Sequence, residues 1–141
     1  MITAVALSFV LIASASTQVP GPAPSQTPYE GEWLVEVIDN VKVMPNSRVT
    51  LRVQGRSIYG LASCNTYRSS IEIAGERVNV GEIMTTMKAC DGPRMSQERD
   101  FLALLKTVVR LELRGNDALV LTTPEGKTMT ATRAKGSSQE H

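Results

Sequence analysis

Much of the chain alternates between apolar and polar side chains with the two-residue period of a β-strand. The clearest runs are Gly31–Ile38, Arg48–Val53 and Val109–Arg114. In the first run, the alternation predicts an inward face that begins at Trp33, the only tryptophan, and continues to Val37. These runs predict a β-rich domain whose largest core side chain is Trp33.

Short turn sequences separate most of the predicted strands. The turn signals are Gln54-Gly55-Arg56, Ala74-Gly75-Glu76, Gly115-Asn116-Asp117 and Pro124-Glu125-Gly126. Strands joined by such short turns pair antiparallel, so the pattern predicts hairpins and about eight strands. Residues 39–46 lack the alternation and are predicted to form a loop.

One segment instead has the period of a helix. Its apolar residues are spaced at i, i+3, i+4 and i+7: Phe101, Leu104, Leu105 and Val108. Pro93 precedes them, and proline is tolerated in the first turn of a helix. The fold class predicted is therefore α+β: a curled antiparallel β-sheet, open-barrel-like, with one α-helix packed on it.

Composition and charge narrow the class of protein. The chain has 141 residues, of which 42% are hydrophobic and 21% charged, which is typical of one globular domain. Its net charge is only +1, with 15 basic and 14 acidic residues. Nucleic acid binding normally requires a strongly basic surface, so we expect no nucleic acid partner.

The N-terminal region has the features of an export signal. Residues 1–15 are uncharged, carry a short apolar run, and end in Ala13-Ser14-Ala15, a small-x-small cleavage pattern. We predict a signal peptide at 1–15, a proline-rich linker at 16–28, a folded domain at 29–134 and a flexible tail at 135–141. The apolar run is too short for a transmembrane anchor. The expected location is periplasmic or secreted.

The chain contains two cysteines, Cys64 and Cys90. In an exported domain they most simply form one disulfide bond. A zinc site would require two further ligands, and the only histidine is His141 at the end of the chain. A redox-active pair is disfavoured because the cysteines are not in a C-x-x-C arrangement. We therefore expect no metal and no cofactor.

An ordered set of motifs surrounds the two cysteines: Gly60-x-x-Ser63-Cys64-Asn65-x-Tyr67, Thr86-Met87-Lys88-Ala89-Cys90 and Pro93-x-Met95-x-Gln97-Glu98. This set resembles the motifs of the META domain, or HslJ-like, family. The resemblance extends over about 31–133 and implies a small mixed β fold with a packed helix. Such proteins are often exported and linked to heat shock, motility or drug tolerance, without a settled activity. The family usually has glycine where Ser63 stands, and its basic residue usually precedes the methionine, whereas here Met87 precedes Lys88.

Five polar residues beside the cysteines are the candidate site: Asn65, Tyr67, Thr86, Gln97 and Glu98. They either form a partner-binding patch or satisfy buried backbone groups near the disulfide. Glu98 with Asp91 or Asp100 could imitate a glycosidase carboxylate pair. Acids near the start of a helix are better explained by the helix dipole. No histidine lies within the predicted fold and no phosphate-binding loop follows a strand, so we predict that the protein is not an enzyme.

Three functions follow from these observations. The first is a non-enzymatic, monomeric, stress-related interaction module that binds an unknown envelope protein or cell-wall component. The second is a carrier that encloses a small apolar ligand under the helix, which a filled core would disfavour. The third is a secreted hydrolase inhibitor that uses the exposed loop from Val41 to Asn46.

Overall fold

A computed structural model of the protein describes residues 10–16 and 27–135. Within them the chain forms ten β-strands and one α-helix. In chain order these are β1 (Gly31–Ile38), β2 (Val41–Lys42), β3 (Thr50–Gln54), β4 (Ser57–Leu61), β5 (Thr66–Ala74), β6 (Arg77–Val80), β7 (Met84–Thr85), α1 (Gly92–Thr107), β8 (Arg110–Arg114), β9 (Ala118–Thr122) and β10 (Thr128–Arg133). The predicted α+β class is confirmed.

The predicted segments at the two ends of the chain lie mainly outside the described residues. Residues 1–9 of the signal peptide, 17–26 of the linker and 136–141 of the tail are not described. Residues 10–16 are exposed and form no helix or strand. In the part of the chain that the structure describes, no helix is long and apolar enough to cross a membrane.

The strands form a ring of antiparallel pairs. The order is β1-β3-β4-β5-β6-β8-β9-β10, and β10 pairs again with β1. The two remaining strands are short additions, since β2 pairs with β1 and β7 pairs with β5. One joint of the ring is weak, because β6 and β8 share a single residue pair, Arg77 opposite Arg110. The sheet is therefore ring-like without being a complete barrel.

A β-bulge changes the inward face of β1 halfway along the strand. The register with β10 shifts between Val35 and Val37. Trp33 and Val35 are buried before the shift, whereas Ile38 is buried after it and Val37 is only half-buried. The prediction that Val37 points fully inward is wrong, because the additional residue in the bulge reverses the alternation.

Trp33 lies at the centre of the core, as predicted. Its side chain has no exposed surface, and its indole N–H donates to the Tyr29 carbonyl at 2.9 Å. The Arg133 guanidinium lies 4.3 Å from the centre of the ring system, a cation–π contact. Arg133 also donates to the carbonyls of Pro28 and Glu30, at 3.1 and 3.0 Å. The Arg133 side chain therefore holds residues 28–30 against β10.

The two shortest strands are β2 and β7, with two residues each. In the predicted loop, Asp39 and Asn40 have φ values of +46° and +66°, the backbone of a two-residue hairpin, and β2 follows them. The predicted helix is confirmed from Gly92 to Thr107. Its apolar face is buried, and it places Phe101 in the core of the ring.

Candidate functional site

The two cysteines form a disulfide bond between Cys64 and Cys90, as predicted. Their Cα atoms are 6.1 Å apart, within the usual range for a disulfide. Cys64 lies between β4 and β5, and Cys90 lies two residues before α1. The bond therefore fastens the start of the helix to the loop that enters β5.

Asn65, the residue after Cys64, is held by the helix through Glu98. Its backbone N–H donates to Glu98 Oε1 at 2.6 Å, and its side-chain Nδ2 donates to Oε2 at 2.8 Å. Both residues are buried, Glu98 with only 5% of its surface exposed. The first turn of α1 contains no acidic residue. The helix dipole therefore does not explain Glu98, and that interpretation is corrected: its carboxylate is placed to accept from Asn65.

The other atoms of the Asn65 amide hold the segment before the helix. Asn65 Oδ1 accepts from the Lys88 backbone N–H at 2.6 Å and from Thr86 Oγ1 at 2.8 Å. Asn65 Nδ2 also donates to the Lys88 carbonyl at 3.2 Å. Thr86 Oγ1 accepts from the Thr66 N–H at 3.2 Å. We call Asn65, Thr86, Glu98 and the Lys88 backbone the Asn65 cluster.

Gln97, the residue before Glu98, makes a separate set of contacts. Its Oε1 accepts from the Met44 backbone N–H at 2.8 Å. Its Nε2 donates to Ser47 Oγ at 2.8 Å and to Ser63 Oγ at 3.1 Å, and the two serine hydroxyls are 2.7 Å apart. Gln97 therefore holds the loop after β2. Sequence reasoning missed Ser47, whereas Ser63 stood out because it occupies a usual glycine position.

Tyr67 belongs to the core rather than to either polar set. Its ring packs edge-to-face on Phe101 with 5.2 Å between centroids, and its hydroxyl donates to the Thr50 carbonyl at 2.9 Å. Burial raises the pKa of the Tyr67 phenol far above its ordinary value. Of the five predicted site residues, three therefore share the Asn65 cluster, while Gln97 and Tyr67 lie apart.

The three carboxylates named from the sequence lie in different surroundings. Asp91 lies 3.4 Å from the Arg94 guanidinium in an exposed ion pair. Asp100 is exposed, whereas Glu98 is buried against Asn65. Among the described residues, no three His, Cys, Asp or Glu side chains are grouped as a metal site would require.

Comparison with known proteins identifies the family. The META domain matches residues 26–136. The chain belongs to the META domain family. An NMR structure of a protein from Burkholderia xenovorans is similar, with 18% sequence identity, a TM-score of 0.63, and coverage of 89% of this chain and 99% of that chain. A second NMR structure has 15% identity, a TM-score of 0.60, and coverage of 75% and 93%. These two likenesses show the fold alone, and no curated protein matches the chain.

The backbone of this META domain explains the glycine preference at Ser63. The φ angle of Ser63 is +99°, a conformation that residues with a side chain rarely adopt. Serine is tolerated here because its hydroxyl is held by Ser47 and Gln97. The departure from the family pattern therefore adds a hydrogen-bonding group to the turn before Cys64.

A concave surface of the META domain lies elsewhere, between α1 and the β1–β2 hairpin. Two adjoining depressions there have volumes of about 410 and 250 Å³. Both are lined by Ile38, Val41 and Asp100, and the larger also by Ala103 and Leu104. We call this surface the helix groove. Val41 is 68% exposed at its edge.

Proposed function

We propose that this META domain is an exported, non-enzymatic interaction module of the bacterial cell envelope, with a role in stress. The observation that carries the proposal is that the hydrogen-bond donors and acceptors of the Asn65 cluster are used within the domain. A disulfide bond fastens the same segment. The family motifs therefore build the fold, and a function has to act through another surface.

The disulfide supports the export part of the proposal. Disulfide bonds persist in oxidising compartments such as the periplasm and are rare in the cytosol. The uncharged apolar segment that ends at Ala15 is the matching targeting signal. Together they favour a periplasmic or secreted domain.

Processing of the N-terminus tests export directly. The protein is expressed in a bacterium with its own leader, and the exported chain is measured by intact mass. We expect it to begin at or near Ser16, since signal peptidase requires small residues at Ala13 and Ala15. Ala13→Asp/Ala15→Asp should remain full length, whereas Ser14→Asp, at the tolerant middle position, is the matched control. A full-length wild-type product in the cytoplasm refutes export.

The chemistry of the site supports a non-enzymatic role. The only histidine of the protein is His141, so none lies within residues 27–135 to act as a general base. The buried carboxylate of Glu98 accepts two hydrogen bonds from Asn65, which use the oxygen atoms that a reaction would need. The Asn65 cluster therefore acts as a structural tie between loop, strand and helix.

The helix groove is the surface through which we propose that the module binds an envelope protein. It follows α1, whose 16 residues extend about 24 Å, enough for an extended segment of about seven residues. Its base is aliphatic, because Ile38 and Leu104 are buried beneath it. No aromatic ring lines it, so apolar side chains of a polypeptide fit it better than the sugars of the cell wall, which stack on aromatic rings.

Site-specific photo-crosslinking in the envelope tests this surface. A photoreactive residue at Ala103, within the groove, should capture an envelope protein, with a higher yield after heat stress. The matched control carries the same residue at Arg52, an exposed position on β3. Capture at neither position, or the same products from both, contradicts the proposed binding surface.

A hydrolase inhibitor is the second candidate, because the predicted inhibitory loop is held rigidly. Gln97 Oε1 accepts from the Met44 N–H, and Arg94 donates to the Asn46 carbonyl at 3.2 Å. A loop fixed in this way is already ordered before it meets an enzyme, which lowers the cost of binding. Gln97→Ala should then weaken inhibition of a sensitive envelope hydrolase, without preventing folding.

The third candidate function, a carrier that encloses a small apolar ligand, has less support. Side chains that fill the inside of the ring include Trp33, Phe101 and Met129, none of which has exposed surface. The larger concave surfaces described lie outside this core. A small apolar ligand would have to displace these side chains to be enclosed.

A further inference from the structure

Among the residues that the structure describes, β7 has a neighbouring strand on one side alone. Within them it pairs only with β5, with Thr85 opposite Tyr67 and Met84 opposite Arg68. The Thr86 N–H donates to the Thr66 carbonyl at 3.1 Å. Because backbone groups along a strand point alternately to the two sides, the N–H and C=O of Thr85 point away from β5.

The residues on both sides of Thr85 extend this open edge. By the same alternation, the backbone groups of Ile83 and Met87 point in the same direction as those of Thr85. None of the three forms a backbone hydrogen bond within the part of the chain that the structure describes. The side chains are accessible too, since Met84 is 65% and Met87 93% exposed. Unpaired, exposed edges of this kind are templates for the addition of another strand.

We propose that this edge is a self-association surface, at which two copies of the protein pair antiparallel about a two-fold axis at Thr85. Thr85 then lies opposite Thr85 of the second copy and exchanges two backbone hydrogen bonds with it. Ile83 lies opposite Met87, and the free groups of both residues meet. A shift of one residue would oppose free groups with groups already bonded to β5, so the alternation restricts the register.

Charge complementarity identifies the occupant as a second copy. In this register, Glu82 of each copy lies opposite Lys88 of the other, so the pairing creates two ion pairs, related by the two-fold axis. Both residues are exposed, and neither side chain forms a salt bridge within residues 27–135. Opposite charges on directly paired positions stabilise antiparallel strands. A segment that is complementary to its own reverse suits the two-fold interface of a homodimer.

The interface involves only residues 82–88, so it is small and the dimer is weak and concentration-dependent. At high protein concentration, this dimer replaces the monomer that is expected from the sequence. The inference goes beyond the envelope role proposed above and does not depend on it, because it concerns a different surface from the helix groove. It can be tested with purified, oxidised protein.

The two charges provide a matched set of variants for sedimentation equilibrium. Glu82→Lys or Lys88→Glu turns both ion pairs into repulsive contacts, and each should raise the dimer Kd about tenfold. The double variant Glu82→Lys/Lys88→Glu should recover the wild-type Kd. Glu72→Lys, at an exposed position on β5, should leave it unchanged.

Mixing the two single variants gives the sharpest result. When ¹⁵N-labelled Glu82→Lys is mixed with unlabelled Lys88→Glu, every ion pair of the mixed dimer is attractive again. Native mass spectrometry of an equimolar mixture should therefore find more of the mixed dimer than of the two homodimers together, whereas random mixing makes these two amounts equal. Random mixing of the two variants would overturn the proposed register.

The backbone bonds are tested at the centre of the interface. Thr85→Pro removes the N–H that the second copy needs, without removing a bond to β5, and should abolish the dimer. Thr85→Ala keeps the N–H and should preserve it. A protein that stays monomeric up to millimolar concentration overturns the proposal, as does a dimer whose Kd neither charge variant changes.

Discussion

At the residue scale, the side chain of Asn65 connects three parts of the chain. It accepts from the segment before the helix, at Thr86 and Lys88, and donates to Glu98 within the helix. Buried polar groups are expensive to leave without partners, so removing one member affects the others. The Asn65 cluster therefore contributes to stability as a unit.

This coupling predicts the effect of Glu98→Gln. Glutamine has one acceptor oxygen in place of two, so in either orientation its NH₂ would face a donor of Asn65, the backbone N–H or Nδ2. We expect a loss of about 2–3 kcal/mol in the free energy of unfolding, measured by urea denaturation. A double-mutant cycle with Asn65→Ala should give a coupling energy of at least about 1 kcal/mol. Strictly additive losses would show that the two residues act independently.

The buried phenol of Tyr67 leads us to predict that the folded protein loses stability at alkaline pH. Burial holds the pKa of its phenol well above the ordinary value of 10.0. The folded protein therefore keeps a proton that the unfolded chain releases. Stability is fully present below about pH 10 and falls as pH rises above it, by up to about 1.4 kcal/mol per pH unit for one such group.

The variant Tyr67→Phe separates this effect from the hydrogen bond to Thr50. At pH 7 it should lose about 1 kcal/mol, because the Thr50 carbonyl loses its donor. Above pH 10 its stability should fall less steeply than that of the wild type. Some slope should remain, since burial and the nearby carboxylates of Glu76 and Glu112 also raise the pKa of Tyr29. Equal slopes in urea titrations at pH 9–11 would contradict the prediction.

At the element scale, the disulfide closes a loop of 26 residues that contains β5, β6 and β7. Cys64→Ala/Cys90→Ala should still fold, because the core contains neither cysteine. We expect a loss of about 2–4 kcal/mol from the greater entropy of the unfolded chain. Urea denaturation measures this loss, and reduced wild-type protein is the control. Unchanged stability would indicate that the bond adds no constraint.

Several elements could be predicted from the sequence, and the others depend on distant contacts. Runs such as Gly31–Ile38 predict strands, because burial of one face produces an alternation of apolar and polar residues. The bulge that half-exposes Val37 arises from pairing with β10, which no local pattern records. The strand β2 has only two residues, too few to establish a period.

The same limit applies to the candidate site. The motifs include both Asn65 and Glu98, but their separation of 33 positions gives no sign that the two side chains form a hydrogen bond with each other. Because Glu98 lies near the start of the helix, the sequence suggested an interaction with the helix dipole. Its role is determined instead by its burial in the folded domain. Ser47 carries no motif, and only the fold brings it to Gln97.

At the scale of the whole molecule, the ring brings the two ends of the domain together. Arg133 donates to the Pro28 carbonyl across 105 positions of sequence, and Ala134 donates to the Glu32 carbonyl. Both segments that flank the domain therefore begin on the same side. The helix groove lies towards the opposite end of β1, at Ile38.

The adjacent ends also bear on how fast the protein folds. Pairing of β1 with β10 joins nearly the whole length of the domain, and such distant contacts slow folding because the intervening chain must be ordered first. A circular permutant that links residue 135 to residue 28 through a short glycine-serine segment, and opens the turn at Gly115-Asn116, makes this pair local. Stopped-flow refolding should be faster than in the natural chain, with the unfolding rate nearly unchanged. The order in which the ring closes, rather than its final contacts, would then set the folding rate of this domain.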